Sequence, residues 1–192
     1  MKKTNVNNVT AGKPKVGGAV YCASLGTALP TDAKAALADD YKCLGYISSD
    51  GVTNSNSPDS DKVKAWGGDV VLETSKGTED TLKFKMIEYL NVEVLKFVYG
   101  EDNVKVSEAG AITVVANSTD TEAHVIVVDM VARGGKAVRF IAPSAKITKL
   151  EDIQYKDDDA VGYEVEMNCQ PCNTYDSVFT EDNNATHVVY ID

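Results

Sequence analysis

The chain has 192 residues, 43% of them hydrophobic and 25% charged, enough for one domain that buries roughly 70% of its unfolded-state surface. Nineteen basic residues against twenty-nine acidic ones leave a net charge of -10, a balance that repels phosphate and argues against ordinary nucleic-acid binding. Met1 to Thr10 carries Lys2 and Lys3 with no apolar run behind them, and the longest apolar runs, such as Val125 to Val128, are far too short to cross a bilayer; export by a signal peptide and membrane insertion are both disfavoured.

The charge is unevenly spread. Residues 1 to 150 carry eighteen of each sign, whereas residues 151 to 192 carry eleven acids against Lys156 alone. The first eighteen residues are purely basic, with Lys2, Lys3, Lys13 and Lys15. The four cysteines, Cys22, Cys43, Cys169 and Cys172, are too few and too unevenly placed for a secreted disulfide framework, so a reduced, cytosolic setting is the default.

In chain order, residues 1–18 read as a flexible N-terminal arm, polar, with Pro14 and the pair Gly17 and Gly18. Ala19 to Ala23 is a short apolar strand, and Ala33 to Leu37 is a candidate helical turn capped by Thr31 or Asp32. Tyr41 to Ile47 is a second strand, broken at Gly45. Ser48 to Asp61 has almost nothing to bury and reads as a long excursion, of a length that is uncommon for a loop without a function. Lys64 to Thr74 returns to strand, with Gly67 and Gly68 marking a bulge or a close backbone approach. Ser75 to Asp80 reads as a turn, and in Thr81 to Glu88 the period-two alternation of Leu82, Phe84 and Met86 with Thr81, Lys83 and Lys85 marks a strand with one wet face.

The clearest helix runs between a cap at Asn91 and a positive-φ stop at Gly100. Val92, Val94, Leu95, Phe97, Val98 and Tyr99 leave only a narrow polar sector, at Glu93 and Lys96. Such a helix is either sunk in its own domain's core or covered on one side by a second subunit. After it come Asn103 to Ser107 and Ala111 to Ala116 about a turn, then His124 to Arg133 and Lys136 to Ala142 about Gly134 and Gly135. The Val125 to Met130 run is apolar on both faces except at Asp129 and belongs in a central strand. Pro143 is expected to end the next strand. Ala145 to Tyr155 is a weaker strand, Gly162 to Gln170 alternates strongly, and His187 to Ile191 is a last short strand. Eight to ten strands with one helix imply a mainly β (α+β) fold, a β-sandwich or partial barrel spanning residues 19–170, followed by a C-terminal arm over residues 171–192.

No catalytic, cofactor or metal constellation emerges. Cys169 and Cys172 have C-x-x-C spacing, but a zinc site lacks a second close pair among His124, His187, Cys22 and Cys43, and a redox pair would normally open a helix. The two histidines sit in no nucleophile or metal motif, the paired glycines lack the spacing of a phosphate loop, and Asp157 to Asp159 lack the ligand spacing of a calcium loop.

Several stretches carry a resemblance: Ala11-Gly12-Lys13-Pro14-Lys15-Val16-Gly17-Gly18-Ala19-Val20-Tyr21, Leu25 to Ala33, Leu44 to Pro58, and Lys64-Ala65-Trp66-Gly67-Gly68-Asp69. In this order, continuing through Ile87 to Val104 and more loosely to Cys169, they resemble the major tail tube protein of long-tailed, non-contractile bacteriophages. The resemblance implies a non-enzymatic virion protein without cofactors. Its β-sandwich would form hexameric rings stacked into a tube through which DNA leaves without specific binding. It implies as partners further copies of the chain, a tail initiator or baseplate protein, a tape measure protein and a tail terminator, with assembly in the host cytoplasm and no membrane. It makes the Ser48 to Lys64 loop the inter-ring contact, with Ser48, Asp50, Asn54, Asn56, Pro58 and Asp61 on it, and gives the helix an inter-subunit role through Val92, Leu95, Phe97 and Tyr99. Polar strand parity makes Asp69, Glu73 and Asp129 candidate lumen acids, with Lys83, Lys85 and Arg139 as offsetting cations. A monomeric β-sandwich binding module and the tube protein of a contractile or secretion apparatus are the competing readings.

Overall fold

The computed structural model describes residues 4–117, 120–172 and 185–192. Within them the chain folds into β1 (Lys13–Pro14), β2 (Val20–Ser24), β3 (Lys42–Cys43), β4 (Ile47–Lys64), β5 (Val70–Met86), α1 (Val92–Tyr99), β6 (Val104–Val106), β7 (Ile112–Val114), β8 (Ala123–Val131), β9 (Ala137–Leu150), β10 (Tyr163–Cys169) and β11 (Val188–Ile191). The main sheet has the order β3-β2-β8-β9-β10-β5-β4, with β1 on β8 and β11 on β9, and β6 and β7 pair separately. Every pairing in the main sheet is antiparallel.

The helix forms where its sequence signals place it. Asn91 Oδ1 accepts the Glu93 N–H at 3.0 Å, and Gly100, at φ +91°, ends it after donating to the Lys96 carbonyl at 2.8 Å. Val94, Leu95, Phe97 and Val98 are buried, each worth on the order of 2 kcal/mol against exposure. They share one core with Leu82, Phe84 and Met86 of β5, Ile126 and Val128 of β8, Phe140 and Ala142 of β9, and Tyr163, Val165 and Met167 of β10. Residues from well-separated strands therefore meet over one helix, which requires the sheet to curl into a partial barrel without closing. The opposite face of β8 and β9, at Val125, Val127 and Ile141, is covered by Leu29, Leu37 and Tyr41. The Val125 to Val128 run is thus buried on both sides, as a central strand should be.

Several local readings need correction. The Ser48 to Lys64 segment is not a loop: it is β4, paired with β5 from Val52 opposite Phe84 out to Lys64 opposite Val70. The expected turn at Ser75 to Asp80 is strand interior, and the chain instead reverses at Ala65 to Asp69, where the Ala65 N–H donates to the Asp69 carbonyl at 2.8 Å. Gly67 and Gly68 have φ of +134° and +99° with nothing within 4 Å of an added Cβ, so they serve the turn rather than a close approach. The physical reason is that a ribbon wet on both faces needs no apolar alternation; each strand satisfies its backbone from the other.

Pro143 does not end β9. The β8 register jumps here, with His124 opposite Ala145 and Ile126 opposite Ala142, and on the other edge β11 pairs up to Ile141 while β10 begins at Ala145. A proline therefore sits at the bulge between two ladder partners, where its missing N–H breaks no run of bonds. Ala33 to Leu37 makes no helix; Asp32 Oδ1 instead accepts the Lys34 and Ala35 N–H groups in a capped turn.

Candidate assembly surfaces

The solvated face of β10 and β5 is a ladder of paired charges. Glu164 lies opposite Lys85 and Glu166 opposite Lys83, while Asn168 faces Thr81. Lys83 Nζ reaches Glu151 at 3.1 Å and Glu164 at 3.0 Å, and Lys149 reaches Glu151 at 2.8 Å. Hydrogen bonds from Lys149 and Lys83 hold the Glu151 carboxyl below its ordinary value, and the bonds that Lys83 donates to Glu164 and Glu151 raise its ammonium. Lys85 adds a looser contact to Asp159 at 3.9 Å. The face is polar throughout yet close to neutral.

Beyond Thr81 the β4–β5 hairpin leaves the sheet, since β10 pairs with β5 only from Met86 to Thr81. Its outer part is exposed on every side. The register shift between Asp59 and Ser60 inverts its faces, so Glu73, opposite Lys62, lies on the other side of the ribbon from Lys83, opposite Thr53. Among the expected loop residues, Asn54 is at the root, where its Nδ2 donates to Asp80 Oδ1 at 2.6 Å. Ser48 and Asp50 lie at the opposite end of β4, hydrogen-bonded to each other at 3.4 Å. Asn56, Pro58 and Asp61 lie along the exposed ribbon, where Asp61 pairs with Lys76 at 2.8 Å. Asp69 is in the tip.

Asp129 reaches no surface, which removes it as a lumen acid. It is buried with Arg139, its cross-strand partner. Arg139 also donates through Nη1 to the Asp32 and Ala35 carbonyls at 3.0 and 2.9 Å, and Lys15 Nζ reaches Asp129 at 3.3 Å. The parity reading failed because β8 is buried on both faces, so a polar residue there faces a partner rather than water. The N-terminal arm is correspondingly held, with β1 paired to β8 and the Lys15 N–H on the Asp129 carbonyl at 3.2 Å.

Leu95 and Phe97 are covered by their own chain, and only Val92 and Tyr99 of the four expected helix contacts remain partly exposed. The apolar width of α1 is thus met within one subunit and does not itself require a second. His124 lies in β8, tilted on Phe97 with ring centroids 5.3 Å apart, and burial lowers its pKa. Cys169 faces the core, where burial pushes its thiol up to about 12, which opposes the nucleophilic use a C-x-x-C pair would need. The expected C-terminal arm falls mostly on residues 173–184, outside the described residues; beyond them His187 Nδ1 meets the buried Asp80 carboxylate at 2.5 Å and stacks on Phe140 at 4.7 Å. Sequence reading missed this contact because the partners are 107 residues apart.

Among the described residues no helix is long and apolar enough to cross a membrane, and no group of three or more potential ligands is placed to hold a metal ion. Among curated proteins no sequence matches the chain. The family described as phage tail tube protein matches over residues 4–187, nearly the whole chain and every element described above except β11. Mostly β with one α-helix among the described residues, and carrying a charge-balanced sheet face and a long projecting hairpin, the chain belongs to the phage tail tube protein family.

Proposed function

We propose that copies of this chain close into hexameric rings that stack into the tail tube, the conduit for phage DNA during ejection. The observation that carries this reading is the outer part of the β4–β5 hairpin, residues 53–79, a ribbon that buries nothing in its own subunit and projects well past the sheet. An isolated two-stranded ribbon is marginal in water, so its length is explained by a partner that covers it after assembly. It reaches along the tube to the next ring, and Asn56, Pro58 and Asp61 enter that contact as strand residues.

The sheet ends at β3 on one side and β4 on the other. Such edges are an aggregation hazard in a monomer and a joining surface in a ring. With the ladder of Lys83, Lys85, Glu164 and Glu166 turned inward, the lumen offers each lysine a neighbouring carboxylate. DNA carries a charge about every 1.7 Å of axis; a wall whose cations are already paired gives it few places to pause. A tail initiator or baseplate protein starts the stack, a tape measure protein occupies the lumen before DNA, and a terminator caps it, with assembly in the host cytoplasm.

Electron microscopy of the purified chain with and without its tail initiator tests the reading. Tubes with six subunits per ring are expected. A monomer at every concentration, with no growth on the initiator, overturns it and favours a binding module.

A further inference from the structure

The hairpin also polarises the molecule. Tyr46 precedes β4 and Leu90 follows β5, while Trp66 lies in the turn that joins the two strands. Strands of 18 and 17 residues separate these ends by about 55 Å at the usual rise per residue.

Each end carries apolar side chains that the subunit leaves in water. At the tip, Trp66 is 108% exposed, with Val63, Val70, Val71 and Leu72 beside it. Val63 is opposite Leu72, which puts these two on one face of the ribbon, while the register shift that follows sets Val70 opposite Lys64 on the other face. At the far end Tyr46 and Leu90 are each 75% exposed and Tyr155 is 69% exposed. These three sit on a braced platform. The Tyr46 N–H donates to Glu88 Oε1 at 2.9 Å and its carbonyl accepts the Ile87 N–H at 2.9 Å. Leu90 is inside the turn closed by the Asn91 N–H on the Glu88 carbonyl at 3.1 Å. The Tyr155 hydroxyl meets that of Tyr89 at 3.2 Å, and Tyr89 stacks on Tyr163 at 5.2 Å.

We infer that the Trp66 tip of one copy docks on the Tyr46, Leu90 and Tyr155 platform of a copy in the adjacent ring. This rests on the tube reading and names the receiving surface for the hairpin. A contact that repeats without closing needs two different, complementary patches at opposite ends of one chain; a tip-to-tip contact would stop after two copies. A tryptophan anchor entering a preorganised aromatic patch is the chemistry that concentrates binding energy at interfaces. Charge agrees. Lys62 and Lys76 are paired with Glu73 and Asp61 along the ribbon, but Lys64, next to the tip, has no ion pair among the described residues. Neither do the exposed Asp152, Asp157 and Asp158 near the platform.

The test places a photoreactive phenylalanine analogue at position 66 in a minority of copies doped into wild-type tubes, followed by mass spectrometry of the cross-linked peptides. Cross-links to peptides holding Tyr46, Leu90 or Tyr155 of another copy are expected, and the reciprocal probe at position 90 should capture the tip. Trp66→Ala and Leu90→Asp should each slow tube elongation tenfold or more with the melting temperature unchanged, because both side chains are exposed in the subunit. Tubes whose tips cross-link elsewhere, or wild-type elongation in both variants, overturn the docking site while leaving the tube reading intact. Failure of the wild type to form tubes with its initiator overturns both.

Discussion

Arg139 grips Asp129 with both prongs: Nε donates to Oδ1 at 2.6 Å and Nη2 to Oδ2 at 2.8 Å, in a site that excludes water on both faces of the sheet. Removing one partner strands a buried charge. Asp129→Asn should therefore lower unfolding stability by about 3–5 kcal/mol, read as a fall in the urea midpoint at unchanged slope. Replacing both residues, as Asp129→Leu with Arg139→Met, should lose less than the single change, because no orphaned charge remains. A double variant weaker than the single one would show that the pair is held by more than charge compensation.

The same pair sets an acid limit. Burial pushes the Asp129 carboxyl up, but the Arg139 guanidinium and the Lys15 ammonium outweigh it and hold the group below its ordinary value. A depressed folded-state pKa contributes stability that is complete above the unfolded value, near 4, and is lost as pH falls through the folded one. The stability gap between wild type and Asp129→Asn should accordingly be constant from about pH 5 to 7 and narrow below about pH 4. A gap independent of pH down to 2 would remove Asp129 from the acid transition.

Thiol chemistry separates two kinds of cysteine. Cys22 and Cys169 are buried, and desolvation pushes each thiol up to about 12, leaving on the order of one thiolate in ten thousand at pH 8. Cys43 and Cys172 are partly exposed. Iodoacetamide should label the second pair within minutes and the first only as fast as the chain unfolds. Rapid labelling of Cys169, or a Cys169–Cys172 disulfide under mild oxidation, would reopen the redox reading.

What the sequence made legible was whatever one local rule decides. The helix between Asn91 and Gly100 was readable because cap, stop and apolar spacing agree, and Tyr163 to Cys169 because one face is wet and one dry. The hairpin was not, because Ser48 to Asp61 has no apolar period for a strand to show, and a polar ribbon and a polar loop share a composition. Asp129 and Arg139 were each visible as polar residues in apolar strands, but nothing in either strand alone says that they face each other. Burial of Leu95 and Phe97 within one subunit likewise depends on how far the sheet curls, which single-element patterns do not encode.

The proposed axial role of the hairpin can be tested apart from folding. Replacing residues 58–78 by an Asn-Gly turn between Ser57 and Glu79, which are already opposite each other, removes only exposed residues and keeps the root contacts of Asn54, Asp80 and His187. The two-residue turn matches the strand twist. The melting temperature should stay within about 3 °C, since surface changes away from such contacts are worth about 0.5 kcal/mol or less. Tube growth should stop, seen by electron microscopy as rings or short stacks that do not lengthen. Tubes of normal length from this variant would remove the hairpin from the axial contact.

On the proposed reading, in which the charge ladder faces the lumen, a change there tests passage apart from assembly. Glu151→Gln with Glu164→Gln leaves Lys83 and Lys149 without the carboxylates that now hold them, and it changes only exposed or partly exposed side chains. Surface pairs of this kind add little stability, so the variant should fold and form tubes. With this face turned to the lumen as proposed, the variant would present unpaired ammonium groups repeated in every copy, and cations along a phosphate path bind with an affinity that falls steeply with salt. Assembled tubes of the variant should retain short duplex DNA at low ionic strength and release it between roughly 50 and 200 mM salt, while wild-type tubes retain none; fluorescent DNA pelleted with the tubes measures both. Equal retention by the two would mean that this face of β5 and β10 does not line the channel. Retention by the variant alone, with ejection slowed in phage that carry it, is the outcome expected if paired lysines let DNA move.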